Sequence, residues 1–391
     1  MDRLELKLHT QQLTIGSGAK TTFGAGSIAS LPDAITSLGS RRVFLVTDKG
    51  LVASGLSATV ARRLQDAGIE VAIFSELRPN PAGEEIAAGG LALREFGSAV
   101  VVGLGGGTSL DGAKGISLAA ANDVPIRELD YRNELAHPGL PIVAIPTTAG
   151  TGSETNSFGV IDDRETHRKF YIGNASVAPK VVILDPALTA GLPAGATAAT
   201  GVDALTHAVE SVMARSQNPF SHSLGIQVVK TIHEWLPVAF RDGGDGEARA
   251  QMLLAAHLAG LAFANTGLGL AHALAHTLSA MLGTAHGVAL AVVLPSVIEF
   301  NAPARGAELA EVGAALGTDK PEAGAEGPRF AVQAIRGLLS QVGMPARLGE
   351  VGLTEGMVDS LVRGALDDVV LTNNPIQPTQ AELTSLVASL L

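Results

Sequence analysis

The sequence predicts an α/β half built on a parallel sheet, residues 1–188, joined to an all-helical half, residues 189–391. Short apolar runs of strand length recur through the first half, with helix-like segments between them. After Asp185 and Pro186 such runs give way to long Ala- and Leu-rich helical patterns, from Gly201 onwards, which places the boundary between 186 and 195. At 46% hydrophobic and 17% charged residues, a chain of this length can bury two cores, and disorder is not the default reading.

The predicted strands are Arg42–Asp48 (RVFLVTD), 71–74 (VAIF), 99–104 (AVVVGL) and 141–146 (PIVAIP), each ending near Gly, Pro or Asp. Segments 51–68 and 82–97 have the apolar spacing of amphipathic helices closed by glycine. Strand and helix in alternation imply a parallel, Rossmann-like sheet covered on both faces, with ligands at the carboxyl ends of its strands. In the second half, 243–246 and 317–327 read as loops between helices.

A formal charge of -11 lacks the clustered Lys and Arg that phosphate backbones and anionic membranes require, so neither nucleic acid nor a membrane surface is an expected partner. The most apolar stretches, 252–264 and 288–298, fall short of the roughly 20 residues of a membrane span and read as buried helices. Residues 1–7 alternate charged and apolar side chains, unlike a secretory leader, so the chain is expected to begin near residue 1 and remain in the cytoplasm. With no cysteine, any metal site must use imidazole and carboxylate.

Gly105, Gly106, Gly107 and Thr108 follow the 99–104 strand, and residues 109–120, with Asp111 and Lys114, read as a helix. Small residues there let the backbone approach a pyrophosphate, and the helix start offers free N–H groups and the positive end of its dipole. The run departs from G-x-G-x-x-G, because counting from Gly103 the last position is Thr108; a plain strand-to-helix turn is the alternative. Asp48 closes an earlier strand, where a carboxylate accepts hydrogen bonds from a ribose and repels a 2′-phosphate, favouring NAD over NADP, or else caps the helix beginning near Lys49. Thr147, Thr148 and Thr151 belong to a polar loop after the 141–146 strand suited either to a cofactor or to an ordinary turn.

Asp203 and His207 lie four apart in a helical pattern and share a face. His272 and His276 repeat that spacing on a strongly apolar segment, and His286 follows in a Gly-rich one. A lone buried histidine commonly bonds a backbone carbonyl, but one carboxylate with three imidazoles, Asp203, His207, His272 and His286, makes a full ligand set for Zn(II) or Fe(II). His276, one turn beyond His272, reads as a proton relay or nicotinamide contact, or as a residue that orients a ligand.

These segments together resemble the iron-containing (group III) alcohol dehydrogenase family, of the dehydroquinate synthase-like architecture. The resemblance runs through FGAGSIASLP at 23–32, VTDKGL at 46–51, PNP at 79–81, GGGTSLDGAKGI at 105–116, PTTAGTGSE at 146–154, LDPALT at 184–189, TGVDALTHAVE at 200–210, GLAHALAHTL at 269–278, AHGVA at 285–289 and NNP at 373–375. It implies the same four metal ligands, Fe(II) with Zn(II) as the alternative, His276 near the nicotinamide, and cofactor contacts at Asp48, Asn80, Gly106, Gly107, Thr108, Thr147, Thr148, Thr151 and Lys169. Gly105 and Asp111 complete the cofactor candidates. Thr108 stands where relatives commonly carry Ser, and keeps the hydroxyl. Phe158, at a position polar in some relatives, is expected to line an apolar substrate pocket with Phe263 and Leu268.

The implied activity is hydride transfer between NAD(H) and a small alcohol or aldehyde, in a homodimer formed through the N-terminal strand or a higher homo-oligomer. A lyase or synthase that uses NAD only transiently, a specialised oxidoreductase on a functionalised aldehyde or ketone, and a non-catalytic metal- or nucleotide-binding protein are the alternatives.

Overall fold

The structure is a computed structural model that describes residues 19–79, 81–163, 168–317 and 326–391. Its sheet half contains β1 (Lys20–Phe23), β2 (Arg42–Asp48), β3 (Glu70–Leu77), β4 (Val100–Gly105), β5 (Ile142–Pro146) and β8 (Val181–Leu184). These six form one sheet in the order β1-β8-β5-β4-β2-β3, with every pair parallel.

Alternate residues of β2 divide between two cores. Val43 and Leu45 pack with Leu31 and Ile35 of α1 (Leu31–Ser37) and with Val60 and Leu64 of α3 (Leu56–Asp66). Phe44 and Val46 pack with Ile86 and Leu93 of α4 (Gly83–Phe96) and with Ala113 and Ile116 of α5 (Gly107–Ala121). Burial on both faces is why β2, β4 and β5 read as unbroken apolar runs. β2 leads to β3 on one side while β4 leads to β5 on the other, so the order reverses between β2 and β4. Their carboxyl ends, Asp48 and Gly105, therefore flank a crevice of the kind in which such sheets bind nucleotides.

Three differences from the sequence reading have local causes. The 51–68 helix is two, α2 (Lys49–Ala53) and α3, because Gly55 between them has φ 79°, a left-handed turn that no helix continues through. β1 and β8 escape the apolar-run criterion: β1 lies at the sheet edge with mostly exposed side chains, and β8 is only four residues long. An antiparallel hairpin, β6 (Phe158–Asp163) and β7 (Arg168–Gly173), stands beside the main sheet, its sequence mixing apolar and charged residues.

Beyond Leu184 the described residues hold only helices: α6 (Ala194–Met213), α7 (Pro219–Arg241), α8 (Gly246–Thr266), α9 (Leu270–Leu282), α10 (His286–Ala315), α11 (Gly327–Gln341), α12 (Val358–Asp367) and α13 (Gln380–Ser389), with short 3-10 turns. The apolar stretches 252–264 and 288–298 fall in α8 and α10. Length and composition alone would let α10 cross a membrane, but most of its apolar side chains are buried in the helical core. α8 and α9 meet at 107°, and the start of α9 lies against Glu210 of α6 and Asn374. The core of this half also takes in Ala144, Val182 and Leu184 of the sheet, packed with Ala198 and Val202 of α6.

Candidate metal and dinucleotide site

α6 carries Asp203 and His207 on one face, α9 carries His272 and His276, and α10 opens at His286. The packing of these three helices brings three of the four imidazoles around one oxygen of the carboxylate. Asp203 Oδ1 lies 3.5 Å from His207 Nε2, 3.6 Å from His272 Nε2 and 3.7 Å from His286 Nε2. A tetrahedral ion with bonds of about 2.1 Å separates its ligand atoms by roughly 3.4 Å. Ligand atoms of Asp203, His207 and His272 all lie within 4.8 Å of one another, the dimensions of a cation site, and His286 Nε2 approaches the shared oxygen from the start of α10.

The polar inventory agrees. Asp203 Oδ1 and His272 Nε2 are buried and have no hydrogen-bond partner among the described residues, an unfavourable state that a cation relieves. Burial alone would push the Asp203 carboxyl up, but the surrounding imidazoles of His207, His272 and His286 hold it well below its ordinary value. Burial drives His207 down to about 4 and His286 well below the usual imidazole range. His272 goes the other way, to about 9, because Glu210 and Asp203 outweigh its burial. A carboxylate with neighbouring imidazoles held neutral is the protonation state of a ligand set, and a cation would displace the remaining proton on His272.

Glu210 lies three residues past His207 on α6 and was not singled out in the sequence. Its Oε2 is 2.7 Å from His272 Nδ1, and it accepts the backbone N–H groups of Gly269 at 2.9 Å and Ala271 at 2.8 Å. Asn374 accepts the N–H of Leu270 at 3.1 Å. The two side chains thus satisfy the start of α9, and Glu210 turns His272 Nε2 toward Asp203. An acid among the apolar residues of α6, one turn from His207, is the signal by which it could have been found.

His276 faces the same cavity from one turn further along α9. Its Nδ1 is 2.7 Å from Asp368 Oδ2 and 3.3 Å from the Tyr171 hydroxyl. Neither partner is visible from spacing, since they are 92 and 105 residues away.

On the sheet side, Gly105, Gly106 and Gly107 make the turn from β4 into α5. A Cβ on Gly106 would lie 3.2 Å from Thr148, and one on Gly107 would lie 2.9 Å from Thr151, so both threonines sit directly against the turn. Thr147 donates its N–H to the Gly105 carbonyl at 3.0 Å. Asp48 caps α2, its Oδ1 accepting from Leu51 N at 3.0 Å, while Oδ2 lies 3.5 Å from the Ser109 hydroxyl beside the turn. Asp111 is engaged by the protein: it accepts the Ser153 hydroxyl and, at 3.0 Å, the N–H of Val160, and so anchors the hairpin.

Lys114, 1% exposed, reaches the carbonyls of Ser153 and Phe158 and the side chains of Ser153 and Asn156 at 2.6–2.8 Å, fixing the base of the same loop. Lys169 pairs with Asp162 at 3.5 Å. Asn80 lies outside the described residues.

A cavity of about 570 Å³ joins the two halves of the site. Gly107, Thr108 and Thr151 line its sheet side, the Asp203 cluster and His276 its helical side, and Phe158, Phe263 and Leu268 the wall between. Phe263 also packs on the ring of His207, with centroids 4.5 Å apart. Asp48, Gly105, Gly106, Thr147 and Thr148 do not line it; they stand around and behind the glycine turn.

Known proteins match from end to end. Residues 18–186 match the family described as iron-containing alcohol dehydrogenase, and residues 197–391 match the C-terminal part of the Fe-containing alcohol dehydrogenase family. The chain is 39% identical over 374 residues to the probable alcohol dehydrogenase EutG of Escherichia coli (strain K12), covering 94% of this chain and 92% of that protein. It is 35% identical over 372 residues to the NAD-dependent methanol dehydrogenase of Bacillus methanolicus, covering 95% and 98%. The crystal structure of a 1,3-propanediol oxidoreductase superposes with a TM-score of 0.94 at 34% identity, covering 97% of this chain and 100% of the other. The chain belongs to the iron-containing alcohol dehydrogenase family and is an oxidoreductase of the alcohol dehydrogenase and aldehyde reductase type.

Proposed function

We propose that this enzyme exchanges hydride between NAD(H) and a small primary alcohol or its aldehyde, with Fe(II) held by Asp203, His207, His272 and His286 and Zn(II) as the alternative ion. The observation that carries this reading is the meeting of three imidazole nitrogens around Asp203 Oδ1 in the cavity that the glycine turn also lines. When bound, the cation supplies a Lewis acid for the carbinol oxygen, and the nicotinamide accepts or returns the hydride. The start of α5 and the small turn residues receive the pyrophosphate, with Thr148 and Thr151 at its edge. Phe158, Phe263 and Leu268 enclose the substrate chain and keep water out, and His276 takes the carbinol proton or returns it. Nothing in the site favours transient use of NAD by a synthase.

The test is turnover of protein loaded separately with Fe(II) and Zn(II). NADH loss with short aliphatic aldehydes is expected, faster with Fe(II) and slower with NADPH. No net change in nicotinamide absorbance with any aldehyde or alcohol would overturn the reading.

Asp48, beside the turn at the β2–β4 reversal, supports the NAD preference despite its capping bond. Asp48→Gly is expected to cost only a few tenths of a kcal/mol in capping while narrowing the preference for NAD over NADP about tenfold. An unchanged ratio of kcat/KM for the two cofactors would reduce Asp48 to a cap. Among the described residues the sheet ends on β1, whose outer edge supports a homodimer, and the acidic charge fits a cytoplasmic enzyme.

A further inference from the structure

Three side chains from three separate elements meet beside the cation cluster, two of them sharing the carboxylate of the third. His276 comes from α9, Tyr171 from β7 in the sheet half, and Asp368 from the turn that follows α12. Asp368 Oδ1 accepts the Tyr171 hydroxyl at 3.1 Å and the N–H of Val370 at 3.1 Å, while Oδ2 faces His276 Nδ1 at 2.7 Å. Tyr171 is itself wedged edge-on between aromatic rings, with Phe158 and His276 each at 6.2 Å between centroids. Tyr171 and His276 both line the cavity.

The donor and acceptor count fixes the arrangement. A carboxylate only accepts, so the nitrogen of His276 that faces it must carry the proton. Burial, reinforced by Asp368, raises the Tyr171 hydroxyl well above its ordinary value, so it stays a donor. Burial pushes the Asp368 carboxyl up, but His276, Val370 and Tyr171 together hold it below the usual carboxylate value. The imidazole is thereby fixed with Nδ1 as the donor to Asp368 and Nε2 on the far side of the ring.

We propose that Asp368 and Tyr171 are positioning residues for His276: they fix its tautomer and ring so that Nε2 accepts the carbinol proton, and they tie the β6–β7 hairpin to the helical half across the cavity. The inference rests on the proton role given to His276 above. In alcohol oxidation the C–H hydride leaves for the nicotinamide and the O–H proton passes to Nε2; aldehyde reduction returns both.

Two variants test it. Asp368→Asn offers one acceptor oxygen and an amide donor. Keeping Tyr171 and Val370 bonded to that oxygen turns the amide N–H onto His276 Nδ1 and moves the ring proton to Nε2. kcat is expected to fall by roughly two orders of magnitude or more, as for other wrong-tautomer variants, with KM for NAD within about twofold. Tyr171→Phe keeps the ring and removes one hydrogen bond, and kcat is expected to fall by about tenfold at unchanged KM for NAD.

The second readout is the nitrogen-15 spectrum of zinc-loaded, histidine-labelled protein, with the His276 signal identified by its loss in His276→Gln. Wild type and Tyr171→Phe should show a protonated Nδ1 and bare Nε2, and Asp368→Asn the reverse. A wild-type His276 protonated on Nε2 would overturn the proposal, as would kcat within twofold of wild type in Tyr171→Phe. If Asp368→Asn fails to fold, Tyr171→Phe and the wild-type spectrum decide alone. The spectrum reports the tautomer whether or not alcohols turn over, so failure here is distinct from failure of the proposed activity.

Discussion

His207→Ala is expected to arrive from purification without its metal and with kcat/KM lowered at least about a thousandfold, because the Lewis acid that activates the carbinol is lost. His207 is buried, its ring stacked on His272 with centroids 4.6 Å apart. Alanine removes one of four donors and leaves Asp203 with two imidazoles. The glycine turn and the threonines against it belong to the other half of the molecule, so NADH should still bind within a few-fold of wild type, read by its fluorescence. Elemental analysis showing a wild-type metal content would contradict the ligand assignment.

The second large effect is expected from a residue that touches neither metal nor cofactor. Gly287 follows His286 at the start of α10, and a Cβ there would sit 1.8 Å from the carbonyl oxygen of Ala199 on α6. A backbone oxygen cannot swing aside as a side-chain tip can, so Gly287→Ala must lift α10 from α6. Overpacking of this kind costs about 3 kcal/mol or more. The same displacement draws His286 from Asp203, now 3.7 Å apart, so metal affinity should fall with the melting temperature. Gly337→Ala is the control: it lies within α11 with nothing near its would-be Cβ, and should be neutral or stabilising by up to about 1 kcal/mol. Equal melting temperatures and metal content for Gly287→Ala and wild type would show that the helices do not approach as described.

What could be read from the sequence is what is written in local spacing. β2, β4 and β5 announce themselves because burial on both faces makes them apolar throughout, whereas edge strand β1, four-residue β8 and the mixed β6–β7 hairpin carry no such mark. Asp203 with His207, and His272 with His276, stand one helical turn apart, so each pair is visible as a shared face. The partners that orient these side chains are different. Glu210 is close enough in sequence to have been noticed, but Tyr171 and Asp368 reach His276 only through the docking of β7 and the turn after α12 against α9. The role of Asp48 is ambiguous for a related reason: a carboxylate at a strand end serves the backbone as readily as a ligand, and here it bonds the protein, as does Asp111, which is expected at the cofactor.

The seam where Ala144, Val182 and Leu184 of the sheet meet Ala198 and Val202 of α6 belongs to a single apolar interior that continues through the helices. Severing the chain near the end of β8 would bare that seam to water and leave the sheet fragment prone to self-association. The halves should therefore melt in one cooperative step, and neither is a module to be exchanged freely between enzymes.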